Sequence, residues 1–349
     1  MRFLTLILTF VAISIFAQAP AGYYDSAEGK TGEELRTALF NIINSHNVES
    51  YSDLWDDFYD TDRKSNGKVW DMYSDVPGGT PPYQYTFGSD QCGTYTEEGS
   101  CYNREHSFPK SWFNDDYPMY TDLFHLYPTD GYVNGRRSNY PYGEVGSASW
   151  TSQNGSKLGT CSYPGYSGTV FEPIDEYKGD FARSYFYMLT CYKDKISSWS
   201  SDMLSGDNFS YWAKNLLLDW AEEDPVSQKE IDRNNAVYQI QDNRNPFIDH
   251  PEYACLIWGT DCSSSVNDVE NIDLYVFPNP AKDLVSIDYH SYSNTTAIVH
   301  FYNALGADVF DCTIHNGTNK IDISSLPKSV YILSITNDKL KITKKIVKQ

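Results

Sequence analysis

An α+β fold followed by a small β-sandwich is predicted by two features of the chain: capped helical periodicities flank a loop-rich centre, and β-branched alternation takes over near the C-terminus. The first helix is predicted over 31–44, where Thr31 and Glu34 have capping-box spacing and Leu35, Leu39 and Ile42 recur on one face. Residues 51–160 are rich in Gly, Pro, Asp, Asn, Ser and Tyr, which predicts long loops with a few short strands. Helical spacing returns from Lys178 with Ala182, Tyr185 and Leu189, then with Trp212 and Leu216, and again from Ser227 and Glu230 toward Val237. The polar run 263–268 reads as a linker. Beyond it, 284–289, 297–301 and 330–335 alternate as strands.

The 349 residues have room for one large core and a smaller second one. Met1 and Arg2 precede an apolar run from Phe3 to Phe16, and Ala17 and Ala19 offer a cleavage site, as in an export signal. The run is too short for a comfortable membrane span, so a soluble, secreted protein is expected. The expected divisions are a signal peptide over 1–19, a main domain over 20–262, a linker over 263–271 and the sandwich over 272–349. Export permits disulfides, and Cys92 with Cys101 and Cys255 with Cys262 are the preferred pairs. Cys161, Cys191 and Cys312 are left over. No Cys-x-x-Cys pair is present, which argues against a structural zinc site.

A net charge of -20 excludes a general polyanion-binding surface. Any phosphate chemistry therefore needs a local cationic site. The segment Asn103-Arg104-Glu105-His106-Ser107-Phe108-Pro109-Lys110 supplies a base, a hard metal ligand and two cations within a few residues. Downstream, Asp122-Leu123-Phe124-His125-Leu126 leads to Val133-Asn134-Gly135-Arg136-Arg137-Ser138-Asn139-Tyr140, with an amide oxygen for a cation and two guanidinium forks for phosphate. A lone Glu-His pair is more often a strand edge than a site, so the argument rests on both segments together.

These paired motifs, Arg-Glu-His-x-x-Pro and Val-Asn-Gly-x-Arg-Ser-Asn, resemble those of the endonuclease I family of secreted and periplasmic nucleases over about residues 25–260. The resemblance implies a loop-rich ββα-metal finger flanked by helices. It also implies His106 as general base, Glu105 and Asn134 as ligands of one Mg²⁺ (with Mn²⁺ or Ca²⁺ as substitutes), and hydrolysis to 5′-phosphate ends. Arg137 matches by position as the catalytic phosphate contact. Arg104, Arg136, Asn139 and Tyr140 are the expected substrate contacts, with Tyr142 a further stacking candidate. His125, with Phe124 where the family carries another His, is read as a structural or supporting group. Glu172, Arg183 and Arg244 lie in two further matching segments and are assigned structural roles first. The segment from Val276-Phe277-Pro278-Asn279-Pro280 to the Lys-rich end is similar to type IX secretion sorting domains, which implies the secretion machinery as a partner.

One geometric condition follows from strand periodicity. Neighbours on a regular strand point to opposite faces, so Glu105 and His106 can both serve one site only if the strand ends or bends there, and a regular strand running on through both would defeat the adjacent assignment. The expected partners are DNA, RNA or both, through backbone phosphates, and the expected state is a monomer. The rivals are a phosphodiesterase acting on RNA alone or on another ester, and a surface nucleic-acid-binding protein without turnover.

Overall fold

The structure is a computed structural model that describes residues 19–259, 273–290, 296–303, 306–336 and 341–349. The signal-peptide run and the linker fall outside the described residues. The chain divides into two compact units, Met1–Asp261 and Cys262–Gln349.

In the first unit, helices α1 (Gly32–Ile43) and α2 (Leu54–Thr61) are followed by about forty residues of turns and isolated bridges, in keeping with the Gly- and Pro-rich sequence there. Thr31 stands at the N-cap of α1 but its side chain makes no capping bond, so the expected box is absent. Strands β1 (Tyr102–His106) and β2 (Leu126–Asp130) form an antiparallel hairpin, and α3 (Gly131–Arg137) follows β2 directly. A three-stranded sheet, β3 (Val145–Thr151), β4 (Lys157–Cys161) and β5 (Thr169–Glu172), precedes α4 (Lys178–Cys191).

Every residue of α4 is buried. A helix apolar on one stripe would sit at the surface, whereas this one carries Phe181, Tyr185, Phe186, Tyr187 and Leu189 around its circumference and forms the axis of the core. A two-residue hairpin (β6, Leu204–Ser205; β7, Asn208–Phe209) leads to α5 (Tyr211–Glu223), α6 (Gln228–Gln241), α7 (Pro246–Asp249) and α8 (Glu252–Trp258). α6 opens with the predicted capping box: Ser227 accepts from the Glu230 amide, and the Glu230 carboxylate accepts from the Ser227 amide. That carboxylate also takes two bonds from buried Arg183, at 2.5 and 2.9 Å, so one residue caps α6 and ties it to α4.

The second unit is a β-sandwich of antiparallel strands. A four-stranded sheet joins Ala297–Tyr302, Asp308–Ile314, Val330–Thr336 and Lys341–Val347, and a three-stranded sheet joins Asp273–Phe277, Leu284–His290 and Gly317–Asp322. Val285, Ile287, Val299, Phe301 and Leu333 are fully buried at alternate positions, the period-2 pattern read from the sequence. Cys92 and Cys101 are bonded and close the loop before β1. Cys255 is also disulfide-bonded, whereas its expected partner Cys262 lies outside the described residues. Among the described residues, no helix is long and apolar enough to cross a membrane.

Glu230→Ala is expected to cost about 3–5 kcal/mol in urea unfolding, because it strands the buried Arg183 guanidinium. Ser227→Ala, which removes only the cap, should cost about 1 kcal/mol. Equal costs for the two would show that the Arg183 pair contributes nothing.

Candidate active site

The hairpin is built on a regular ladder. Tyr102 to His106 pair in unbroken register with Asp130 to Leu126, and Ser107 continues the ladder by donating to the His125 carbonyl at 2.9 Å. The register is regular from Glu105 to His106, so the two side chains leave on opposite faces, and β1 ends at His106. A site with both groups on one face is overturned.

α3 lies across the face that carries Asn103 and Glu105. Asp130 caps it, accepting from the Val133 amide at 2.7 Å while also binding the Tyr85 hydroxyl and the Gly99 amide. Asn134 donates Nδ2–H to Asn103 Oδ1 at 2.8 Å, and among the described residues no group donates to its own Oδ1. One turn later, Arg137 Nη1 donates to Glu105 Oε1 and to the His106 carbonyl, both at 2.9 Å, and Nη2 donates to the Ser107 carbonyl and, at 3.3 Å, to the Tyr185 hydroxyl. The guanidinium also stands over the Tyr142 ring, 4.5 Å from its centroid. Tyr73 donates to Glu105 Oε1 at 2.8 Å, so that oxygen is used twice, while among the described residues no group donates to Oε2. Burial pushes the Glu105 carboxyl up to about 7, against the pull of Arg137 and Tyr73.

On the opposite face, His106 packs among Tyr51, Tyr120, Phe113 and His125. Its Nε2 lies 3.0 Å from the Tyr120 carbonyl. A carbonyl only accepts, so Nε2 carries the proton and Nδ1 keeps the lone pair, with no protein donor to it among the described residues. Burial, and then the charges of His125, Lys110 and Arg104, hold the imidazole pKa well below its usual value. Near neutral pH the ring is uncharged and Nδ1 is free to take a proton.

The other sequence-derived residues divide clearly. Arg137 is 1% exposed and its end nitrogens are committed, so it holds β1 and α3 together; the expectation that it contacts phosphate does not fit. Tyr142 is fully buried and belongs to the core, not to a stacking surface. Arg136, Asn139 and Tyr140 are exposed, on and just beyond the end of α3, with Arg136 over the Trp150 ring. Arg104 is half-buried between Tyr51 and Trp55 on the His106 face. His125 is fully buried and donates to the Met119 carbonyl at 2.6 Å, the structural role expected of it. Glu172, Arg183 and Arg244 are held in ion pairs with Lys178, Glu230 and Asp249.

Sequence reasoning missed a tether behind the site. Asp122 accepts from Tyr187, Tyr192, Gln241 and the Phe124 amide at 2.5–3.0 Å, which ties the loop entering β2 to α4 and α6. Burial alone would raise its pKa, but His46, His125 and these donors hold it below the usual carboxylate range. His46, Asp122 and Cys191 bring donor atoms within 4.8 Å of one another. His46 already engages the Asn47 carbonyl and the Tyr192 hydroxyl, so these groups are a satisfied network. A cavity of about 390 Å³ lined by Glu144, Glu172, Asp219, Glu223 and Lys178 shares no residue with the hairpin, and its carboxylates disfavour a polyanion.

The hairpin and α3 thus hold a neutral histidine, a carboxylate and an amide oxygen on the two faces of one strand. The chain matches the Endonuclease I family model over residues 31–252, and it belongs to that family. Residues 275–349 match the secretion system C-terminal sorting domain. The chain is 35% identical to the extracellular ribonuclease of Bacillus subtilis (strain 168) over 246 residues, covering 68% of this chain and 78% of that protein. It is 33% identical to endonuclease-1 of Buchnera aphidicola subsp. Baizongia pistaciae over 129 residues (37% and 46%), and 26% identical to the periplasmic deoxyribonuclease of Aeromonas hydrophila over 133 residues (38% and 48%). The protein is a secreted nuclease carrying a sorting domain.

Arg137→Ala is expected to cost about 3–5 kcal/mol in denaturant unfolding, since it leaves Glu105 buried and unpaired. An arginine serving only as a phosphate contact would leave stability within about 0.5 kcal/mol of wild type, and that result would restore the discarded role.

Proposed function

We propose that the protein is a metal-dependent endonuclease with little base preference, in which His106 Nδ1 takes the proton from the attacking water. The observation that supports this most directly is the Nε2 contact to the Tyr120 carbonyl, which sets the tautomer a base requires. Glu105 Oε2 and Asn134 Oδ1 are the residues for the metal. Both are hard oxygens on one face, each backed by a bond to the other atom of its own group, and two protein oxygens suit Mg²⁺, which keeps several waters. When bound there, Mg²⁺ would neutralise charge on the nonbridging and leaving oxygens of the phosphate.

His106 and the Glu105–Asn134 pair lie on opposite faces, so they serve one phosphate across the C-terminal end of β1, not over either face. Arg136, Asn139 and Tyr140 contact the strand from the exposed rim, and half-buried Arg104 contacts it on the His106 face. Cleavage of both DNA and RNA is the preferred reading. Action on RNA alone is the second, because the relative matched over most of its length is named a ribonuclease.

Purified protein incubated with plasmid and with RNA, with Mg²⁺ or with chelator, tests these readings together. Wild type should cleave with Mg²⁺ and stop with chelator. His106→Ala should lose at least about a hundredfold in kcat, the usual contribution of a positioned base. Asn134→Ala should raise the Mg²⁺ concentration needed for half-maximal rate. Full cleavage by His106→Ala would sink the assignment of the base, and RNA cleavage with intact plasmid would select the second reading.

A further inference from the structure

Arg104 and His106 share one face of β1, two residues apart, and that face carries more than the base. The Arg104 guanidinium lies over two aromatic rings, 3.5 Å from the Tyr51 centroid and 4.4 Å from that of Trp55, and its Nη1 donates to the Tyr51 carbonyl. Its planar N–H edge is otherwise open: among the described residues no protein acceptor other than that carbonyl takes it. Such an edge is the fork that matches a phosphate. The stack continues to the base: Tyr51 lies on Tyr120 at 4.6 Å, and Tyr120 on His106 at 5.1 Å.

Lys110 stands on the far side of this stack, its Nζ 5.2 Å from the Tyr120 centroid. Its side chain is 45% exposed, and that of its partner Asp115, at 3.0 Å, is 53% exposed. An exposed pair of this kind is worth no more than about 1 kcal/mol, so Lys110 can exchange Asp115 for a stronger anion. Two cations, one rigid and forked, the other exposed and mobile in its pairing, thus flank the imidazole on a protein whose net charge is -20.

From this geometry we infer that Arg104 and Lys110 form a two-point seat for successive backbone phosphates of a nucleic-acid strand on the His106 side of the hairpin. The seat rests on the nuclease reading above and adds to it the side from which the strand enters and a residue, Lys110, outside the paired motifs' expected contacts. Arg104 orients the phosphate rigidly, because turning the guanidinium would break both stacking contacts. Lys110 adds charge without fixing direction. Arg137, buried on the other face, takes no part.

The test is binding of a short fluorescein-labelled single-stranded DNA in chelator, followed by anisotropy across a salt series. Arg104→Met and Lys110→Met should each weaken binding about ten- to hundredfold, the loss of one charge-assisted contact. Each should also flatten the slope of log Kd against log salt by about 0.7, one phosphate neutralised on a single strand. Arg104→Lys should keep the wild-type slope and lose affinity, since it keeps the charge but not the fork. A role limited to bracing Tyr51 would not move the salt slope, and Lys110, being exposed, can be changed without unfolding the protein. If wild type cleaves and both Met variants keep the wild-type slope, the seat is overturned alone. If wild type neither binds nor cleaves, the nuclease reading falls and the seat falls with it.

Discussion

The Arg137 guanidinium is the interaction on which the rest of the site depends. It reaches from the last turn of α3 to the Glu105 carboxylate and to the carbonyls of His106 and Ser107. The carbonyl bonds hold the end of β1, and with it the backbone of His106, the proposed base. The carboxylate bond leaves Oε2 as the free oxygen of Glu105. An arginine suits the position because its fixed fork can serve several acceptors at once, which a lysine cannot do. The cost of burying the charge is met by the carboxylate, the two carbonyls and the Tyr142 ring beneath it.

A second constraint comes from the strand itself. Period-2 alternation sends Asn103 and Glu105 toward α3 and sends Arg104 and His106 toward Tyr51 and Tyr120. Each face has its own support: α3 and its arginine on one side, an aromatic stack closed by a backbone carbonyl on the other. In the proposed mechanism this division would keep the metal-holding oxygens of Glu105 and Asn134 apart from the His106 base, so that the ring accepts a proton and does not coordinate the metal. The proposed phosphate position is therefore the hairpin end, where both faces meet.

The charge balance makes sense at this scale. The chain as a whole repels polyanions, and the carboxylate-lined cavity does so locally, while cations gather on the hairpin and at the end of α3. Such a charge distribution favours polyanion contact at the hairpin over the rest of the surface.

The α+β class, the capping box on α6, the alternating strands of the sandwich and the two motif segments were all legible in the amino-acid sequence, because each is a local pattern with a local physical cause. The Thr31 box was legible too, yet did not form, since a capping bond also needs backbone geometry that spacing does not specify. Composition could not tell which arginine is buried: Arg136 and Arg137 are adjacent and chemically identical, and only the packing of α3 on the hairpin turns one to Glu105 and the other to solvent. Likewise the proton on His106 Nε2 follows from the Tyr120 carbonyl, fourteen residues along the chain. Residue types and spacing determine which chemistry is on offer. Which groups are free to use it depends on long-range contacts that orient side chains and exclude water, and those exist only in the folded chain.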